Sequence, residues 1–255
     1  PEANDAKRRL AAAFLESVRE LHRQAPGARS PVELADFLDA ILSRDLFFNV
    51  RDFADAYNGA VAKGVLFRSS ALTRWKDEPA LRAWLSQNRV RCIVDFRHPH
   101  EFAEEKAQYP ADLLTEIEYV SLPLSGAPRQ DATPKPKDAG SVYERQFFAH
   151  RQSVIDAIRA ILRTRDGSTV VHCHVGKDRT GWFCASLAML LGLPEEHVVH
   201  DYMLSGQGVS SAAIETFLAA VRRAGGASCV FEQAGLSQQE REQLASRLLT
   251  RRGSL

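Results

Sequence analysis

Residues 169–193 read TVVHCHVGKDRTGWFCASLAMLLGL. The stretch opens on β-branched, apolar residues, the composition of a strand buried on both faces. From about Thr180 it turns apolar at helical density, which predicts a helix over 180–191. Between strand and helix stand Cys173, five further residues and Arg179. In an open α/β sheet, ligands gather where strands end at their carboxyl edge and helices begin. Cys173 occupies such a junction.

A tight loop in that position presents backbone N–H groups, and the helix that follows adds the positive end of its dipole. Such a field receives an anion and favours the thiolate of a cysteine inside it. Arg179 offers a planar fork that holds two oxygens of one oxyanion. Gly176 permits the close backbone approach that a cradle needs, and Thr180 is placed to donate its hydroxyl to the sulfur. A nucleophile and an oxyanion clamp in one loop imply phosphoryl transfer through a cysteinyl-phosphate, with Cys173 as nucleophile and His174, Val175, Gly176, Lys177, Asp178, Arg179 and Thr180 around the phosphate. The same residues neutralise the charge, so neither a metal nor a cofactor is expected. A Cys-x5-Arg spacing arises by chance in a chain with 33 Lys and Arg, and a strand-end cysteine is often merely packed. Here strand, glycine, Thr-Gly and helix all fall where the chemistry needs them, and agreement across levels favours the functional reading.

The remainder supplies the matching fold. VLFRSS (65–70), RCIVDF (91–96) and IEYVSL (117–122) read as strands. Helical spacing covers 77–88, one long helix over 141–164, then 195–204, 209–223 and 238–251, the last opened by a Ser237/Glu240 capping box. Strands alternating with helices imply a mostly parallel central sheet flanked by helices. Residues 125–140, SGAPRQDATPKPKDAG, are too rich in Pro, Gly and polar residues to build a core and read as a mobile loop, a candidate lid. Residues 1–46 carry two amphipathic helical patterns, the second capped at Ser30-Pro31, and are expected as a helical extension packed on a single domain over 47–255.

Composition narrows the function classes. With 33 basic and 32 acidic residues the formal net charge is +1, too little excess base for a dedicated nucleic-acid or membrane-surface binder. No apolar run reaches the roughly 20 residues of a membrane span, and no leader is visible, so the chain is expected to be cytoplasmic or secreted. Its four cysteines, Cys92, Cys173, Cys184 and Cys229, form no CxxC pair, which argues against a disulfide framework and a structural zinc site.

The loop HCxxGKDRTG resembles that of bacterial cysteine-dependent tyrosine phosphatases, and in particular an atypical group that includes mycobacterial secreted phosphatases acting on phosphotyrosine and phosphoinositides. Upstream, Asn49-Val50-Arg51-Asp52, Arg68-Ser69-Ser70 and Val94-Asp95-Phe96-Arg97 are similar to further motifs of that group. The resemblance spans roughly residues 48–205 and implies a tyrosine-phosphatase-like fold and a phosphate monoester hydrolase, acting on phosphorylated proteins and, through the Lys177-Asp178 pair, on phosphoinositides. It implies that His172 orders the loop and that Asp95 and Arg97 brace the loop or the fold. The general acid does not carry over: relatives place an Asp soon after a Leu-Pro-x segment, whereas Leu122-Pro123-Leu124 is followed by no acid before Asp131. Asp178 and Asp131 are the two candidates, and the lipid-directed myotubularin phosphatases, which place an Asp before the loop arginine, favour Asp178. The alternatives are a phosphoinositide-specific phosphatase, a rhodanese-like or arsenate-reducing cysteine enzyme, and a phosphate-binding module without turnover.

Overall fold

The structure, a computed structural model, describes residues 49–75, 78–103, 112–124, 138–206 and 209–250. The helical extension expected over 1–46 lies outside the described residues, as do residues 125–137 of the expected lid, Asp131 among them.

Five strands form the sheet: β1 (Arg51–Asp52), β2 (Leu66–Ser69), β3 (Val90–Asp95), β4 (Glu118–Ser121) and β5 (Ser168–His172). Their order is β1-β2-β5-β3-β4, with β1 antiparallel to β2 and every other pairing parallel. The helices are α1 (Glu78–Gln87), α2 (Pro99–Ala103), α3 (Leu113–Glu116), α4 (Ala139–Ala149), α5 (Arg151–Arg163), α6 (Asp178–Leu190), α7 (Glu195–Met203), α8 (Ser211–Arg223), α9 (Gly226–Gln233) and α10 (Gln238–Leu248). This is the mostly parallel α/β architecture that the sequence predicts. β5 is central and all five of its residues are buried, as a strand covered on both faces requires.

Side-chain alternation sorts the core into two layers. Leu66, Cys92, Val94 and Val171 face the layer built on α5 and α6, whereas Phe67, Ile93 and Val170 face Leu81, Trp84 and Leu85 of α1. Within α6 every residue from Thr180 to Ala188 is buried, so this helix is the axis of its layer rather than a surface element. Phe147 of α4 meets Trp182, Phe217 and Phe231 edge-on at 6.1, 5.4 and 5.6 Å, tying α4, α6, α8 and α9 together. Each such pair adds about 0.5–1.5 kcal/mol beyond area burial.

The helix expected over 141–164 is two helices. His150, at φ −113° and ψ 23°, leaves helical geometry between α4 and α5. Nothing in the sequence announces the break, because Tyr143, Phe147, Val154, Ile158 and Ile161 keep helical phase across it and no Gly or Pro intervenes. Tertiary packing forces it. A Cβ on Gly140 would lie 2.5 Å from that of Thr216, so α4 rides directly on α8, while α5 packs on the sheet. The first turn of α4 also takes up the end of the expected loop, capped by Asp138, which accepts from the Ser141 N–H at 2.9 Å. The capping box at Ser237 and Glu240 is present, and its helix ends at Leu248 because Leu249 pairs with Val61 in an isolated bridge.

Registers set Ser69 beside His172 and Asp95 beside His172, so β2, β5 and β3 end level at their carboxyl edge. Cys173 follows immediately.

Candidate active site

Between β5 and α6, each backbone carbonyl from Cys173 to Gly176 is bonded to the surrounding frame. The Cys173 carbonyl meets Nδ1 of His172 at 3.1 Å, and the His174 carbonyl accepts from the Ala71 N–H at 3.1 Å. Nδ2 of Asn49 donates to the carbonyls of Val175 and Gly176 at 3.4 and 2.8 Å, and Nη2 of Arg68 donates to that of Gly176 at 3.1 Å. A trans peptide points its N–H opposite to its C=O, and no peptide bond among the described residues is cis. The amides that follow these carbonyls are therefore turned away from the frame. Gly176 is indispensable here. Its φ is 70°, and a Cβ would lie 2.4 Å from the Ser69 carbonyl oxygen.

Cys173 is buried at the base of this loop, 1% exposed. His174, Lys177 and Asp178 are half-buried and Val175 is exposed. Lys177 precedes the first residue of α6, so Asp178, Arg179 and Thr180 form its first turn, and the helix starts two residues earlier than the sequence predicts. Oγ1 of Thr180 is buried with no hydrogen-bond partner. The expected bond from Thr180 to the sulfur is thus not formed in this arrangement.

The Arg179 fork is held by a residue that the sequence reading missed. Nη1 and Nη2 donate to the two carboxylate oxygens of Glu101 at 2.7 and 2.9 Å. Hydrogen bonding from Arg179 is the main reason that the Glu101 carboxyl is held down to about 2, and the His98 N–H, 2.9 Å from Oε2, adds to it. Glu101 sits in the first turn of α2, two residues after Pro99. Pro at a helix start with Glu shortly after is a helix-opening pattern readable in HPHE.

Two buried ionic clusters lie behind the loop. In the first, Arg97 donates to Asp95 through its backbone N–H, Nε and Nη2 at 2.7–3.0 Å, and the Tyr119 hydroxyl donates at 2.6 Å. Burial alone would raise the Asp95 carboxyl. The charge of His172, 3.7 Å away, the Arg97 bonds and the Tyr119 bond instead bring it to about 2. In the second, Arg51 and Arg68 share Asp201. Nε of Arg51 lies 3.1 Å from Oδ1, and Nη1 of Arg68 bonds to Oδ2. Burial, with Arg68 alongside, pushes Arg51 down to about 10. For Arg68 burial acts in the same direction, yet the Asp201 charge outweighs it and the guanidinium is held above its ordinary value.

A third group joins the loop to α4 and α7. The Tyr143 hydroxyl donates to Oδ1 of Asp178 at 2.5 Å and lies 2.8 Å from the Tyr202 hydroxyl. Among the described residues no cluster of three or more His, Cys, Asp or Glu side chains is arranged to hold a metal, and no helix is long and apolar enough to cross a membrane.

A cysteine at the carboxyl end of a central parallel strand, followed by a tight loop and a helix that carries an arginine in its first turn, defines a class: α/β proteins with a cysteine loop at the sheet edge. The sequence profile described as "Tyrosine phosphatase family" matches residues 42–218, and the chain belongs to that family. A tyrosine-protein phosphatase of Nostoc commune is 32% identical over 154 residues, covering 57% of this chain and 50% of that protein. The triple specificity protein phosphatase PtpB of Mycobacterium tuberculosis is 28% identical over 198 residues, covering 64% and 68%. The chain thus spans half the length of the first relative and about two thirds of the second. Among solved structures, TpbA of P. aeruginosa is similar with a TM-score of 0.42 and 18% identity, over 71% of this chain and 97% of that one.

Proposed function

We propose that this chain hydrolyses phosphate monoesters through a cysteinyl-phosphate on Cys173, with phosphotyrosine proteins as substrates and phosphoinositides as a second class. The observation that carries this reading is the bonding of the carbonyls from Cys173 to Gly176 to the frame, which leaves the following amides turned away from it and supports a cradle beside Cys173. Donors fixed before the substrate arrives stabilise developing negative charge without reorganisation. In the first step the Cys173 thiolate attacks phosphorus, the P–S bond forms, the P–O bond to the leaving group breaks, and Asp178 delivers a proton to the departing oxygen. In the second, water attacks phosphorus, Asp178 takes its proton, the P–S bond breaks and inorganic phosphate leaves. Arg179, steadied by Glu101, holds two phosphate oxygens throughout. One geometric fact supports Asp178 as the acid: the Arg179 fork is engaged by Glu101 rather than by Asp178.

The relative in Mycobacterium tuberculosis is described as a triple specificity protein phosphatase, which supports breadth of substrate here. Lys177, between Gly176 and Asp178, supplies a second cation where a phosphoinositide headgroup carries a further phosphate. One panel tests the whole reading: parent, Cys173→Ser and Lys177→Ala assayed on phosphotyrosine peptides, phosphoinositides and p-nitrophenyl phosphate. Cys173→Ser loses turnover while circular dichroism is unchanged, and residual activity above about a thousandth of the parent removes the covalent mechanism. Lys177→Ala lowers phosphoinositide turnover more than phosphotyrosine turnover. Equal losses on both substrates reduce Lys177 to a general contributor to the phosphate field.

A further inference from the structure

The bonding of Asp178 runs through two phenols that no step above uses. A phenol has one proton to give. Because the Tyr143 hydroxyl donates to Oδ1 of Asp178, the 2.8 Å contact between the two phenols is a bond donated by Tyr202. The chain of donation therefore runs Tyr202 to Tyr143 to Asp178, from α7 through α4 to the first turn of α6. Both phenols are buried, 3% and 2% exposed, and their rings meet edge-on at 6.2 Å. Burial first, and then the neighbouring Asp178, push Tyr143 well above the ordinary phenol value. Burial likewise raises Tyr202, so both remain neutral donors at working pH.

The backbone is shaped to admit this chain. A Cβ on Gly181 would lie 2.8 Å from Cδ2 of Tyr202, so the glycine is what lets the Tyr202 ring lie flush against the first turn of α6. Tyr202 also follows Asp201, which through Arg68 reaches the Gly176 carbonyl. Consecutive residues of α7 thus reach the loop at Gly176 and at Asp178, on either side of Lys177.

We propose that Tyr143 and Tyr202 are positioning residues for Asp178: their relay fixes Oδ1 and presents Oδ2 to the leaving oxygen. The proposal rests on a role for Asp178 in turnover, as described under the proposed function. A carboxylate at the mouth of a loop otherwise samples several rotamers, and holding one geometry is how a positioned proton donor gains its effect.

The test is a double-mutant cycle on the full chain, with steady-state kinetics on a phosphotyrosine peptide. Tyr143→Phe keeps the ring and removes the hydroxyl. It lowers kcat by roughly 10-fold, the scale of a lost bond to a charged group, with KM changed less than about twofold. Tyr202→Phe, one bond further away, acts in the same direction and more weakly. In an Asp178→Asn background Tyr143→Phe causes no further loss, because the carboxylate that it positions is gone. The same fold-loss in both backgrounds, or no loss in either, overturns the proposal. A purely structural tyrosine would give that additive result, and thermal denaturation of each variant separates it from unfolding. The acid role of Asp178 is read separately, from Asp178→Asn on phosphotyrosine against 2,4-dinitrophenyl phosphate, whose leaving group scarcely needs a proton. Equal losses on the two substrates remove the acid role, while the coupling in the cycle still decides the positioning.

Discussion

The two ionic clusters behind the Cys173 loop are built from the same residue types and balance charge differently. Asp95 and Arg97 are one acid and one guanidinium, and the acid receives a phenol as well. Asp201 faces two guanidinium groups, Arg51 and Arg68, both shielded from water. Arg68 also donates to the Gly176 carbonyl, while Arg51 donates to the Asp201 carbonyl at 2.6 Å and to Asn49, which itself donates to Gly176. The difference is instructive. The Asp95 cluster meets the loop at its base, where His172, 3.7 Å from Asp95, contacts the Cys173 carbonyl, while Arg97 also donates to Thr73. The unbalanced cluster, with two guanidinium groups to one acid, has donors to spare and reaches the far side of the loop at Gly176. The two clusters thus hold the loop at different points.

Breaking the unbalanced cluster should have the largest effect. Asp201→Asn leaves two buried guanidinium groups without a counter-charge. Removing one partner of a buried pair typically costs about 3–5 kcal/mol, and this variant is expected at or above the upper end. Urea unfolding measures it, and whatever folded fraction survives should show a reduced kcat. A loss smaller than that of Asp95→Asn would invert the comparison.

Asp95→Asn comes second, because a single guanidinium is orphaned and the carboxamide oxygen still accepts from it. Its pH signature is specific. The Asp95 carboxyl titrates at about 2 in the fold, against roughly 3.9 in an unfolded chain. A depressed folded value contributes stability above the unfolded one and loses it as pH falls toward the folded one. That is about 2–3 kcal/mol, fully present above pH ~5 and fading between about pH 4 and 2. Unfolding free energy measured against pH should therefore fall less steeply in that window for Asp95→Asn than for the parent.

Glu101→Gln should have the smallest effect. The carboxylate is 28% exposed, solvent screens the pair, and the stability cost is expected below about 1 kcal/mol by thermal denaturation. A cost of several kcal/mol would place this pair with the buried clusters instead.

How much of this was legible in the sequence depends on distance along the chain. The loop from Cys173 to Thr180 and the strands β2 to β5 are local, set by composition and spacing within a dozen residues, and they could be read directly. Asp201 stands 150 residues from Arg51 and 133 from Arg68. Tyr143 stands 35 from Asp178 and 59 from Tyr202. No periodicity links such positions, and an Asp or Tyr on a helix carries no mark of the partner that folding brings to it. Glu101 was nearer the threshold: HPHE announces a helix start, but nothing in those letters says that its carboxylate meets Arg179. Resemblance to known phosphatases marks Asn49, Arg51 and Arg68 without saying what they hold, and gives Asp95 and Arg97 a bracing role without naming their partners. The break at His150 was invisible for the opposite reason, since the apolar phase runs straight through it. The loop's own motif also misled in one detail, for the Thr180 hydroxyl has the right address and no partner there.

Because Asp201 and Tyr202 are neighbours on α7, the loop depends on the rotational setting of one helix. An α-helix turns about 100° per residue. A single-residue insertion or deletion early in α7 would swing both side chains off their targets together and release the loop at Gly176 and Asp178 at once. Every letter from His172 to Gly181 would remain. A pseudoenzyme could arise in this lineage with its signature string untouched, and the lesion would lie some twenty residues downstream, in the phase of a helix that the signature does not include.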